Sequence, residues 1–183
     1  MAVEFDTFYN AELIDSFENH VSIHSNGKSP NSAHHSKSFA ATTNIPDLST
    51  SAGSDHEHVR IKIVYDPIFD SSFLSSPAWQ TTPQTAHFFT NGDFLSGGLA
   101  DFGYGIGTLS VYVDDFARPV LVTPLNIDAL LKLHHGRAYV GFTAATGQAT
   151  YQTHDLLEWR FSSTRRDPKA FPPPRVNEGG AHA

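Results

Sequence analysis

Cysteine is absent from this 183-residue chain, which excludes disulfides and thiolate metal sites and leaves the redox compartment open. Basic residues are also scarce. Twelve Lys and Arg against 19 Asp and Glu give a formal net charge of −7, which argues against a nucleic-acid partner, since such binding draws its affinity from Lys and Arg. No stretch reaches the roughly 18 apolar residues of a membrane-spanning helix. Met1 is followed at once by Ala-Val-Glu-Phe-Asp, with neither a basic n-region nor an apolar h-region, so the chain as written shows no export signal. Charged residues make up only 17% against 39% hydrophobic, enough apolar material for the core of one ordinary domain.

What the chain does have is aromatic and alternating. Fourteen Phe, six Tyr and two Trp against a single Met lean toward β structure, where such rings pack on pleated surfaces. Period-2 alternation predicts strands over Ala2 to Phe8, His20 to His24, Val59 to Tyr65, Thr108 to Val113, Pro119 to Thr123, Arg137 to Thr143 and Leu156 to Phe161. Only Ile127 to Leu133 reads as helical, with Asn126 as its cap. Polar connectors rich in Ser, Thr, Asn and His fill 25–36 and 42–55. A longer excursion spans 66–107, and a Pro/Gly-rich tail from 164 to 183 cannot pack and is expected to be disordered. The fold expected is an all-β antiparallel sandwich.

Acidic chemistry concentrates at the start. Glu4 and Asp6 stand two apart on a strand, so both carboxylates leave the same face. Asn10 follows the strand end, Asp15 comes after a short loop, and an antiparallel return would set His20 beside the two acids. Three carboxylates held this close repel one another unless a cation compensates. Oxygen ligands suit Ca²⁺, while a mixed carboxylate and imidazole set suits Mn²⁺ or another transition ion. A solvated acidic strand end is the alternative.

The segment Ala2-Val3-Glu4-Phe5-Asp6-Thr7-Phe8-Tyr9-Asn10 resembles the metal-binding signature of the legume (L-type) lectins, and His20-Val21-Ser22-Ile23 resembles the strand that follows it. Tyr139 to Gly147 and His154 to Phe161 resemble later strands of the same family, in the family's order. The likeness runs over about residues 1–163, read as one lectin-like domain with an insertion at about 66–107. It implies a concanavalin A-like jelly roll in which Glu4, Asp6, Asp15 and His20 hold the transition ion. Asp6 and Asp15 would bridge to calcium, joined by the Asn10 side chain and the Phe8 carbonyl. It further implies that Phe8 stacks under a sugar, that the Asn10 amide meets a sugar hydroxyl, and that Gln148 and Ala149 occupy the specificity loop. Glycans or glycoproteins would be the partners, and secretion the expected destination. An Asp and a Gly-rich turn that precede the signature in the family have no counterpart here, so the sandwich is expected to be incomplete. Its exposed sheet would then favour a homo-oligomer.

Two rivals remain beside the lectin. A glycosidase of the same architecture would need three acids at alternating positions, with a hydrolytic pair about 5–5.5 Å apart. Here Glu4 and Asp6 are followed by Phe8, so no pair is completed and no enzyme is expected. A structural or protein-binding sandwich with a stabilising metal site is the other. His34-His35 and His56-x-His58 lie in polar segments and are expected to be solvated. Gly103-x-Gly105-x-Gly107 is followed by no helix and is read as turn geometry rather than a phosphate loop.

Overall fold

The computed structural model describes residues 1–48, 58–80, 106–147 and 151–164. The chain separates into two units, Met1–Gly136 and Arg137–Ala183.

The first unit is built from two antiparallel three-stranded sheets. β1 (Ala2–Asp6), β2 (His20–His24) and β3 (Ser38–Thr42) form one, in that order. β4 (Ile61–Asp66), β5 (Gly107–Val113) and β6 (Leu121–Leu125) form the other. A short helix α1 (Ile127–Leu131) follows β6. The expected strands over 2–8, 20–24, 59–65, 108–113 and 119–123 are therefore present, with ends displaced by up to two residues. β3 was not expected, because Ser-Phe-Ala-Ala-Thr has no clear alternation and takes its register from β2.

Each sheet turns one face into a shared core. Val21, Ile23 and Ala40 meet Leu109, Val111, Val113, Leu121 and Leu125, with Leu48 of the connector closing one end. Val21 and Ile23 lose all contact with water, and full burial of such side chains stabilises by about 1.5–3 kcal/mol each. Gln80 ties the sheets together. Its side-chain amide accepts from Ala41 N at 3.0 Å and donates to Ala41 O at 2.6 Å, while its backbone N–H donates to Val122 O at 2.8 Å. One residue thus satisfies β3 and β6 at once.

In the second unit the strands expected over 137–143 and 156–161 do not form. Residues 138–147 and 151–164 carry no regular element, and Tyr139 stands fully exposed. Alternation records which residues tolerate a pleat, but a strand also needs a neighbour to complete its ladder, and none pairs with these segments among the described residues. The two stretches do touch. Phe142 meets Trp159 edge to face with ring centroids 5.3 Å apart, and Phe161 follows at 6.4 Å from Trp159.

Candidate metal centre

The outer face of β2 is unusual in being buried. All five residues of the strand are buried, so His20, Ser22 and His24, which alternate with the core residues Val21 and Ile23, are covered as well. Polar side chains hidden this deeply need partners, and the neighbours supply them. The β1–β2 register sets Glu4 opposite Ser22 and Asp6 opposite His20, which is the antiparallel return expected. Carboxylates and imidazoles therefore share one face of the sheet.

A loop from Phe8 to Asp15 covers one end of that face, and the two aspartates brace it. Asp6 Oδ1 accepts the Phe8 backbone N–H at 2.8 Å, and Asp15 Oδ2 accepts the Asn10 backbone N–H at 2.7 Å. Asp15 is buried, whereas the Phe8 ring is 49% exposed at the surface of the loop. The Asn10 side-chain amide donates to Glu12 Oε1 at 3.4 Å. Between them runs a 3₁₀ turn, Ala11–Leu13, that ends with Ile14 in the left-handed region at φ 58°.

A second loop brings a further histidine to this face. His35 heads the 3₁₀ turn His35–Lys37, and its ring lies 5.0 Å from that of His20 and 5.6 Å from that of His24. The expectation of a solvated His34-His35 pair is corrected by these contacts. His34 is itself engaged, its Nδ1 accepting the Ser36 N–H at 3.2 Å as a cap. His56 lies outside the described residues, and His58 is exposed.

Within this face two subgroups separate. Glu4 Oε2 accepts from Ser22 Oγ at 2.9 Å and lies 3.0 Å from His24 Nε2. Asp15, His20 and His35 form the other, each offering one ligand atom, with all three atoms within 4.8 Å of one another. Glu4 and Asp6 stand outside that trio, but the charges feel one another. Burial raises the Asp6 carboxyl above its ordinary pKa, and the negative charges of Asp15 and Glu4 add to this, against the Phe8 N–H and His20. The hydrogen bond from His24 lowers Glu4, against the effect of burial. Burial holds His35 toward its neutral form, reinforced by His20 and His24. A neutral imidazole among crowded carboxylates is the state in which both can bind a cation.

Of the sequence-derived site residues, Glu4, Asp6 and His20 thus share one sheet face, Asp15 reaches His20 from the loop, and Phe8 and Asn10 lie in that loop. Gln148 and Ala149 lie outside the described residues. His24 and His35 went unrecognised as members. His24 was available from the alternation His20, Ser22, His24, whereas His35 reaches the face only through the return of a Ser-rich loop.

This defines the class as an antiparallel β-sandwich with a mixed carboxylate and imidazole cluster on one sheet. The family model of the legume lectin domain matches residues 106–176, which makes the chain legume-lectin-like over that part of its length. The family that this model describes is a non-catalytic, carbohydrate-binding one. No curated protein and no solved structure matches the chain. No helix among the described residues is long and apolar enough to cross a membrane.

Proposed function

We propose that the chain is a lectin whose recognition of glycans depends on metal. The observation that carries this is the coincidence of a lectin-like segment with a loop whose two bracing carboxylates are themselves suited to a cation. The donor set fits. Buried Asp15 and His20, with Asp6 and Glu4 beside them, offer the oxygen and nitrogen chemistry of a manganese-like ion. Asp6, Asp15, the Asn10 side chain and the Phe8 carbonyl offer the all-oxygen set that calcium takes. Metal bound there would neutralise the carboxylates that now repel one another.

The remaining work falls to the chain itself. Asp6 and Asp15 hold the backbone N–H groups of Phe8 and Asn10 and so fix the loop before any sugar arrives, which lowers the ordering cost of binding. The half-exposed Phe8 ring offers an apolar platform for the C–H face of a sugar, and the Asn10 amide offers a polar partner for a hydroxyl beside it. Gln148 and Ala149, which lie outside the described residues, are proposed from the lectin resemblance alone as specificity-loop residues. The family is typically secreted, and we place this chain in the secretory pathway on that ground. Exposed apolar residues favour self-association, so a homo-oligomer belongs to the same reading.

The test compares wild type with Asn10→Ala on a glycan array in calcium and manganese. Wild type is expected to bind a restricted set of glycans, and the variant to lose them together with calcium while still taking up the manganese-like ion. Equal binding by both would remove Asn10 from the site. Metal uptake with no glycan bound by either protein would favour the rival, a sandwich whose metal only stabilises its fold.

A further inference from the structure

The hydrogen bonds around His20 and His35 bear on which ring nitrogens can meet a metal. His20 Nδ1 stands 2.7 Å from the Phe17 carbonyl oxygen, which can only accept, so Nδ1 carries the hydrogen and Nε2 of the neutral ring presents its lone pair. His35 Nδ1 lies 3.3 Å from Ser38 Oγ. Ser38 Oγ lies closer to the His35 carbonyl, at 2.8 Å, and a hydroxyl hydrogen given there leaves Oγ to accept from Nδ1, the tautomer in which the His35 Nε2 is bare too. These two bare nitrogens face each other 3.2 Å apart.

In that tautomer the two lone pairs need something positive between them. Either a shared proton or a metal ion meets the requirement. The separation fits the metal, because two nitrogens bound tetrahedrally at 2.0–2.1 Å lie about 3.3 Å apart. The surroundings fit it as well. The Asp15 carboxylate supplies a third donor within 4.8 Å, and the Phe17 and Ser38 oxygens orient the rings through their far nitrogens, as outer partners of ligating histidines do.

We propose that His35 is a metal ligand, and that Asp15, His20 and His35 form a two-nitrogen, one-oxygen site for Zn²⁺ or a similar borderline ion. The set that the lectin resemblance implies has a single imidazole, and this second one moves the preference away from a hard, oxygen-loving ion. The inference rests on the reading that Asp15 and His20 hold metal, and does not require that the chain bind sugar.

The test uses the full chain stripped with EDTA and titrated calorimetrically with ZnCl₂ in the absence of any glycan. Wild type is expected to bind zinc, and His35→Ala to bind at least about tenfold more weakly, since even outer-shell losses cost that much. His134→Ala, at an exposed position elsewhere in the chain, is expected to match wild type. Equal zinc affinity in wild type and His35→Ala would overturn the proposal, as would the absence of zinc binding by wild type. If His35→Ala fails to fold, zinc X-ray absorption on wild type decides. Scattering from two imidazoles supports the site, and scattering from one overturns it. A chain that binds zinc through His35 but no glycan would sink only the lectin reading. Glycan binding with zinc affinity indifferent to His35 would sink only this one.

Discussion

Ile14 sits where a β-branched residue is least comfortable, at φ 58° and ψ 40°, and its side chain is 63% exposed. The conformation costs about 1–2 kcal/mol for a residue with a Cβ, and no core contact offsets it. It is held there by Ile14 N–H to Ala11 O at 3.1 Å and by the Asn10–Asp15 bond that braces the loop. Ile14→Asn, a residue that tolerates this region, is expected to raise the thermal midpoint by about 2–4 °C with the loop unchanged. A fall would show that the strain was misjudged. Gly107 has the opposite sensitivity. A Cβ there would collide with the Asp66 carbonyl and stand 2.8 Å from the Tyr65 ring, so Gly107→Ala is expected to cost about 1–3 kcal/mol in a urea titration. Tyr65 carries a pH dependence far from the metal centre. Burial raises its phenol above the ordinary value, and the charges of Asp128 and Asp66 add to this, against its bond from Ile127 N–H. Because the folded pKa is the higher one, its stability is fully present below the unfolded value of about 10 and is lost as pH rises through the folded value. Tyr65→Phe is expected to flatten that alkaline loss. An unchanged alkaline limb would contradict it.

At the scale of elements, the sequence was most legible where burial and alternation agree. β2 shows His20, Val21, Ser22, Ile23 and His24 strictly alternating, and its ends fall where expected. That alternation also placed Glu4 and Asp6 beside His20. It did not reveal β3 or the His35 turn, because both depend on a loop folding back, and nothing periodic records a loop's destination. Two segments with good strand patterns, over 137–143 and 156–161, lack a ladder for a related reason: pattern is a property of the segment, pairing of its neighbour. Gln80 marks the same boundary between local and non-local information. Nothing around it in sequence predicts that its amide will grip Ala41 across the two sheets. Gln80→Ala would leave the Ala41 backbone groups without this partner and is expected to destabilise by about 1–3 kcal/mol, read from the urea midpoint. A change within about 0.5 kcal/mol would mean that water replaces the clamp without loss.

For the whole molecule, the second unit leaves large aromatic side chains exposed. Phe142, Trp159 and Phe161 are each more than half exposed, while Trp79 of the first unit packs edge-on to Phe69 at 5.6 Å. Acrylamide is expected to quench Trp159 more strongly than Trp79, so Trp159→Phe should remove the readily quenched emission. Quenching that survives the substitution would contradict the exposure. Residues 138–147 and 151–164 also lie inside the stretch matched by the lectin family, whereas the metal-ligand candidates lie at the other end of the chain. The candidate ligands and the family resemblance therefore lie in separate parts of the sequence, and one experiment can ask whether they act together. Glycan-array binding of the full chain would be measured in calcium and manganese, again after EDTA, and once more after the metals are restored. Binding that disappears with EDTA and returns with metal is the expected result. Glycan binding indifferent to EDTA, or no glycan binding under any of the three conditions, would contradict a metal-dependent lectin.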